Sequence, residues 1–511
     1  MPFRCILYPG DNPPELPDEV AAPDCFVDLN LDQVVTAICV GRDEYNLKPF
    51  FHSPASDLDT IQYRHAVMKD LEQEEVLGFV KSFSAKMRSM REQIAKLNKL
   101  YYRLQKEAVF LDAIAFYCDA VSQLANDLRA ADLQSVGLLG FRRHVEAYVQ
   151  STAFVSLRGM MTAIKGDLSK VEYTLLIRYT SVTVRRPGPE PDYGAAVEGT
   201  FARFKQGDAK RFEFKLPDFF EMNHIEAGIL DFVVRLYPEI FTRLHRYFQD
   251  NQSYLDPVIG RWDREIQFYV AYLDYIRPLK RAGLLSCYPI LSTASKVVRC
   301  SQTFDIALAH KLVGDNAPVI TNDFELDGPE RIFIVSGPNQ GGKTTFARTF
   351  GQLHYLGRLG CPLPGREATL FFFDRLFTHF EKEEDIHNHR GKLEDDLVRI
   401  HAILREATPN SIVILNEIFT STTLRDALFL GRRVLERLID LDLLCVCVTF
   451  MDELSSLGPQ IVSLVSTVVP DNPAERTFRV VRRTADGRSY AMSIAEKYRV
   501  TYDSLRERLA S

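Results

Sequence analysis

No run in the chain approaches the roughly 20 consecutive apolar residues that a membrane span needs, so a membrane protein is not expected. The opening residues, MPFRCILYPGDNPPELPDE, lack an apolar stretch of signal-peptide length and soon turn acidic and proline-rich, which points to a cytoplasmic protein. The 9 cysteines form no CxxC pair and no metal-ligand spacing. Two of them, Cys445 and Cys447 in LLCVCVTF, read as filling for a buried strand. There is no short internal repeat and no low-complexity tract. Nor is there an excess of positive charge: the net charge of -6 argues against an overall basic nucleic-acid coat, so any nucleic-acid contact has to come from local patches.

What is present is a long chain with an ordinary globular composition. Its 511 residues are too many for one core, and two or three domains are expected, with 46% hydrophobic and 25% charged residues. Residues 1–29 carry Pro2, Pro9, Pro13, Pro14, Pro17 and Pro23 and form an irregular lead-in. Residues 30–299 read as a helical domain. Between 60 and 168 apolar residues recur every three or four positions without proline, the mark of several long helices. The pattern breaks at a small β insert over 172–216, where VEYTLLIRYTSVTVRRP alternates and a hairpin is expected to turn near Gln206-Gly207-Asp208. Helices resume over about 222–284. From 300 to 511 strands alternate with helices, including TLFFFDRLFTHF, SIVILNEIF and LLCVCVTF as strands, which predicts an α/β domain with a largely parallel sheet.

The most informative stretch is RIFIVSGPNQGGKTTFARTF. An apolar strand meets Gly337-Pro338-Asn339-Gln340-Gly341-Gly342-Lys343-Thr344, which fits GxxxxGK[ST], and Thr345 and a helix follow. Small residues let successive backbone N–H groups point inward around a phosphate, and the helix directs its positive end at the same anion. Lys343 can reach the β- and γ-phosphates, and the Thr344 hydroxyl can take a Mg²⁺ position. The turn therefore reads as a P-loop NTPase site for a nucleoside triphosphate such as ATP. A second acidic strand end is needed, and SIVILNEIF supplies Asn416-Glu417. Glu417 is placed to activate the attacking water; Asn416 can offer its carbonyl oxygen to the Mg²⁺ shell but lacks a charge.

These residues resemble the MutS proteins of DNA mismatch repair, a branch of the ABC-type ATPases. GPNQGGKTT is close to the family's GPNxGGKST. NEIFTSTTLRDAL resembles DEIGRGTSTxDG, with Asp426 at the family's aspartate; VTFMDELSSL resembles ATHYFEL, and RSYAMSIAEKYRVTYDSLRERL is similar to the family's C-terminal segment. SYLDPVIGRWDREIQFYVAYLDYIRP, LNLDQVV and IQYRHAVMKDL are similar to parts of its helical core, so the resemblance covers about 30–511. It implies a helical core and lever joined to an ABC-type ATPase that dimerises. ATP would be sandwiched between subunits, and the segment around Gly391 of one subunit would cover the γ-phosphate held by the other. The insert occupies the place of the family's DNA clamp. Arg203, Lys205, Lys210 and Arg211, interleaved with Phe201, Phe204, Phe212 and Phe214, are the DNA-contact candidates there; a hairpin with one apolar face explains the phenylalanines equally well.

The departures from the family pattern carry as much. From residues 1–29 no counterpart of the domains that precede the core and read a mismatch is expected, nor is a nuclease-like extension. Phe219-Phe220-Glu221 fits the family's Phe-x-Glu reading motif only formally. Asn416 replaces an aspartate, and Phe450 stands where the family has a histidine near the γ-phosphate. The trans-acting signature aligns with Gly391-Lys392-Leu393 and Asp396, without its serine, leaving a Gly391 N–H and the charge of Arg390 or Lys392. Each loss weakens catalysis more than binding. His387-Asn388-His389 reads as a polar loop rather than a metal cluster. The basic residues from Lys81 to Lys106, taken as one helix, read as a solvated face or a phosphate-facing lever.

The expectation is thus an ATP- and Mg²⁺-dependent ATPase that binds branched or generic duplex DNA as a homodimer, in or near mismatch repair or recombination. The alternative is a nucleotide-switched interaction protein that hydrolyses slowly and acts through protein partners.

Overall fold

Polar caps and apolar spacing build the first half of the molecule. In the computed structural model, residues 3–10, 12–14, 17–188, 199–200, 222–381, 391–469, 472–484 and 506 are described. Helices α1 (Cys25–Asp28), α2 (Leu31–Cys39) and α3 (Lys48–His52) lead into α4 (Leu58–Leu71), α5 (Glu74–Leu97), α6 (Arg103–Ala130), α7 (Val136–Val149) and α8 (Thr152–Leu168). The Asp57, Ser135 and Ser151 side chains accept the free N–H groups at the starts of α4, α7 and α8. A hairpin of β1 (Thr174–Arg178) and β2 (Ser181–Arg185) follows, then α9 (His224–Leu236), α10 (Pro238–Asp250) and α11 (Pro257–Arg281). Asn223 and Glu226 form a reciprocal capping box on α9. Helix α11 is the spine of this half. Trp262, Phe268, Tyr269 and Tyr272 are fully buried along it, and the Trp262 ring stacks on Phe141 of α7 at 4.0 Å.

Three expectations need correcting. The basic run from Lys81 to Lys106 is not one helix: α5 ends at Leu97, Leu100 turns into the core, and α6 starts at Arg103 and packs against α5. Apolar spacing continues across the break, so periodicity alone cannot reveal it. Much of this charge is also paired at home, Lys86 with Asp119, Arg88 with Glu44, Arg91 with Asp263 and Arg103 with Glu107. Second, against the expectation that no run is long and apolar enough to cross a membrane, α6 is so by length and composition, but more than half of its apolar stretch is buried inside the protein, as in a core helix. Third, TLFFFDRLFTHF is two strands in two sheets. Asp374 divides them, its carboxylate accepting from the Arg375 N–H and the Ser411 hydroxyl.

The second half begins with the short strands β3 (Ser286–Cys287), β4 (Ile290–Ser292) and β5 (Val298–Thr303). Then come α12 (Ile306–Gly314), β6 (Asn322–Leu326), β7 (Ile332–Ser336), α13 (Lys343–Leu359), β8 (Leu363–Pro364), β9 (Glu367–Phe371), β10 (Leu376–Phe380) and α14 (Lys392–Glu406). β11 (Ile412–Asn416), α15 (Leu424–Asp440), β12 (Leu444–Val448), β13 (Ile461–Val469) and β14 (Asn472–Arg482) complete it. A six-stranded sheet has the order β10-β11-β12-β7-β13-β14, parallel except for β14. A four-stranded sheet, β4-β9-β5-β6, lies beside it. β7, β11 and β12 are buried at every position, which is why they read as unbroken apolar runs. Cys445 and Cys447 are part of this filling, and burial pushes the Cys447 thiol up to about 12.

Candidate functional site

Strand order reverses around β7: the chain leaves it for β10, returns through β11 and β12 on one side, and then adds β13 on the other. Loops at the carboxyl ends of strands beside such a reversal form a natural crevice. Asn416, Val448 and Val335 are aligned across β11, β12 and β7, so the ends of β11 and β7 open onto the same edge.

The glycine loop spans the step from β7 to α13. Gly337 and Gly342 adopt φ of 115° and 94°, in the left-handed region that side chains avoid. A Cβ at Gly337 would also lie 2.5 Å from Ser466 Oγ, and one at Gly341 2.6 Å from the same atom. Ser466, buried on β13, therefore presses the loop closed from behind. No local motif announces it.

Lys343, 5% exposed, folds back into the loop. Its ammonium donates to the carbonyls of Gly337 at 2.9 Å and Pro338 at 3.3 Å, and to Asn339 Oδ1 at 3.3 Å. Burial lowers its pKa; the nearby Glu417 carboxylate works against that, and the Arg476 charge works with it. Arg476, on β14, donates from Nε to the Asn339 carbonyl at 3.2 Å. Thr344 donates its hydroxyl to Asn416 Oδ1 at 3.0 Å, which brings the loop and the end of β11 together. Glu417 follows with φ of 56°, and its N–H donates to the Val448 carbonyl at 2.9 Å. An anion over this loop would meet the N-terminal amides of α13 and the Lys343 charge. The Thr344 hydroxyl and the Asn416 amide oxygen are hard, neutral oxygens. They suit a divalent cation such as Mg²⁺ whose remaining ligands are phosphate and water.

Beside the loop lies a cavity of about 380 Å³ lined by Leu308, Leu312, Val319, Ile320, Phe346 and Phe478, with Gly342 and Thr345 at its edge. Phe478, on β14, is bent over it with φ of 58°. Sequence reasoning missed this cavity, because its walls come from separate segments that share no spacing. The hint available was PVIT followed by Asn322, whose amide pins β14: it donates to the Phe478 carbonyl at 3.3 Å and accepts from the Val480 N–H at 2.7 Å.

The remaining predicted residues fall elsewhere. Gly391 caps α14 with open space where a side chain would stand, and the Lys392 amine is paired with Glu381 of the same chain. Asp426 completes a helix cap, accepting from the Thr423 hydroxyl at 2.8 Å. Phe450 is 52% exposed just past β12. Asp396 points into the protein: it accepts from His379 and from the Phe419 N–H. Arg203, Lys205, Lys210, Arg211, the expected turn at 206–208, Phe219-Phe220-Glu221, His387-Asn388-His389, Arg390 and the segment from Tyr490 to Val500 lie outside the described residues. Of the insert's basic residues inside them, Arg186 stacks over Tyr237 and donates to the Leu236 carbonyl at 2.6 Å.

Comparison with known proteins places this geometry. Residues 333–505 match the family model of MutS domain V, which begins in β7 and takes in the glycine loop and Asn416-Glu417. A DNA mismatch repair protein MutS of Halalkalibacterium halodurans is 26% identical over 254 residues, 46% of this chain and 29% of that protein. One from Zymomonas mobilis is 29% identical over 224 residues, 42% of this chain and 26% of the relative. An Endonuclease MutS2 of Gemmatimonas aurantiaca is 29% identical over 192 residues, 37% of this chain and 23% of the relative. The match thus spans less than a third of each of these relatives. Residues 333–505 thus match MutS domain V, and over this part the chain is similar to MutS and MutS2 proteins.

Proposed function

We propose that the chain is an ATPase of the MutS type that binds ATP with Mg²⁺ in the loop from Gly337 to Thr345 and couples nucleotide state to DNA binding. The observation that carries this reading is the 3.0 Å contact of Thr344 with Asn416, with Lys343 drawn into the loop and Glu417 next in sequence. The cavity beside the loop, apolar and flanked by Phe478, is the right size and character for the base. Thr344 and Asn416 are the residues that would hold Mg²⁺, which when bound would neutralise phosphate charge. Lys343 binds the phosphates, and Glu417 takes a proton from the attacking water.

A homodimer belongs to the same reading. Leu424, Phe429 and Phe450 are exposed on segments that follow β11 and β12, and Leu397 and Val398 are exposed on α14. A second copy seated on this side would cover apolar surface and bring its Gly391 toward the nucleotide. DNA contact is assigned to Arg203, Lys205, Lys210 and Arg211 by the resemblance of the insert's position to the clamp. Branched or generic duplex DNA, mismatch repair or recombination, and a cytoplasmic place complete the reading. The relatives' names speak of mismatch repair and of an endonuclease.

The test is nucleotide titration and steady-state hydrolysis, alone and with homoduplex, mismatched and branched DNA. Lys343→Ala should weaken ATP binding by about two orders of magnitude, the value of the charge-assisted bonds lost. Unchanged affinity would remove the phosphate-loop assignment. Glu417→Gln should keep ATP affinity and lower turnover by about a hundredfold or more. A second reading, a slowly hydrolysing switch that acts through protein partners, is favoured by the uncharged Asn416 at the cation position and by the unpaired-off surface at Phe450. ATP binding with negligible turnover, unmoved by any DNA, would select it.

A further inference from the structure

The end of β11 is held from behind by two side chains that the nucleotide reading does not use. Asp396, in the second turn of α14, is 7% exposed. Its Oδ1 accepts from His379 Nε2 at 3.0 Å, and its Oδ2 accepts the Phe419 backbone N–H at 3.3 Å. His379, on β10, is 1% exposed, and its Nδ1 has no hydrogen-bond partner among the described residues. A carboxylate and an imidazole buried this deeply cost free energy unless neighbours hold them in register.

What they hold is a strained loop. Glu417 and Phe419 have φ of 56° and 60°, left-handed values for residues that carry side chains. Such backbone costs on the order of 1 kcal/mol or more per residue and persists only where the surroundings over-determine it. One fastening is the Glu417 N–H on the Val448 carbonyl; the other is the Phe419 N–H on Asp396. The first ties the loop to β12, the second to α14. Gly391 caps that same helix, five residues before Asp396, or about 7.5 Å along the axis. A pull on the start of α14 therefore acts on Phe419 and, two residues back, on Glu417.

We propose that Asp396, buttressed by His379, is a positioning residue that couples the N-terminus of α14 to the Glu417 carboxylate. Engagement of Gly391 by the nucleotide of a second copy would thereby set the water-activating group. This rests on the nucleotide reading above and extends it to communication between sites.

The test uses the full chain and the variants Asp396→Ala, Asp396→Asn and His379→Gln. ATP affinity, steady-state turnover, and hydrogen exchange of peptides over 392–397 and 415–421 are measured on each. Asp396→Ala should keep ATP affinity within about threefold, lower turnover by about tenfold or more, and raise exchange over 415–421. Asp396→Asn retains an oxygen for the Phe419 N–H and should lose less than about threefold in turnover, with His379→Gln in between. ATP should protect 415–421 in the wild type and not in Asp396→Ala. Wild-type turnover and exchange in Asp396→Ala would overturn the coupling. So would a loss of affinity as large as the loss of turnover, which would mark a merely structural role. If the wild type binds no ATP, the nucleotide reading and the coupling to it both fall. Exchange without nucleotide still decides whether Asp396 fastens the loop: faster exchange over 415–421 in Asp396→Ala upholds the fastening, and equal exchange removes it.

Discussion

The two faces of the six-stranded sheet are equally apolar and differently anchored. On one face Phe333, Val335, Ile412, Ile414 and Val446 join a core that continues without interruption into the helical half. On the other, Ile332, Ile334, Val413, Leu415, Cys445 and Cys447 pack with α14 and α15 into a separate small core. The first face is also stitched by polar groups. Gln352 donates to the Leu29 carbonyl at 2.9 Å, the Tyr355 hydroxyl to the Phe51 carbonyl at 2.9 Å, and the fully buried Arg64 to the Leu7 and Leu359 carbonyls at 3.0 and 2.9 Å. The glycine loop opens into a helix, α13, that is welded to the helical half. The end of β11 is backed by α14 and α15, which pack into the separate small core. On the proposed reading, a change at the glycine loop would be passed to the helices rigidly on the first face and by relative movement on the second.

The sharpest way to break the comparison is to overfill the welded face. A Cβ at Gly351 of α13 would lie 2.6 Å from Leu29 Cδ2 and 2.8 Å from Ile414 Cδ1, and Leu29 is fully buried with nowhere to go. Gly351→Val should cost about 3 kcal/mol or more in chemical denaturation, and it should loosen the helical half together with the sheet. A loss confined to peptides of the sheet in hydrogen exchange would mean that the two halves are not one cooperative unit.

The next effect is smaller and depends on pH. His354, on the same face of α13, is 1% exposed and donates from Nδ1 to the Phe350 carbonyl at 2.8 Å. Burial pushes its pKa down to about 4 from the usual 6.5. The folded chain therefore holds it neutral while the unfolded chain takes up a proton near pH 6.5. Its contribution is intact above that value and falls as pH drops from 6.5 toward 4. The ceiling is about 3 kcal/mol, and about 2 kcal/mol is expected once the surroundings relax. Denaturant midpoints from pH 7.5 to 4.5 should fall for the wild type and flatten for His354→Gln. Parallel slopes would show that the ring is not held neutral by this core.

The contrast between faces also separates what the sequence discloses from what it withholds. The strand-loop-helix around Lys343 was legible because its chemistry is local: the glycines, the lysine and the threonine act on one another within eight residues. Asn416-Glu417 was legible because an apolar run stopped there. Ser466, which shapes the loop through Gly337 and Gly341, was not, because it lies more than a hundred residues away on β13 and looks like any strand serine. The cavity walls at Leu312, Ile320 and Phe478 are ordinary apolar residues until β14 folds across them. Asp396 was read through its alignment with a signature that acts on a second subunit, yet its carboxylate turns inward to Phe419. Spacing shows which residues share an element and says nothing of which neighbour an element will meet.

The smallest expected effect lies on the freer face and is the control for the largest. Gly431 of α15 sits as Gly351 does, in mid-helix against a core, but a Cβ there would meet only the ends of Leu454 at 3.2 Å and Met451 at 3.6 Å. Both neighbours are flexible side chains on the segment after β12, and Met451 in particular can change rotamer. Adding a methyl group removes the backbone-entropy cost of a helical glycine, about 0.5–1 kcal/mol, and the slight crowding offsets part of it. Gly431→Ala should thus change stability by less than about 0.5 kcal/mol, in either direction, in the same denaturation experiment. A loss of several kcal/mol, comparable to that of Gly351→Val, would mean that the small core is as tightly set as the large one. α14 and α15 would then be fixed to the sheet, and coupling through Asp396 would have to act by strain in the Glu417–Phe419 backbone rather than by movement of the helix.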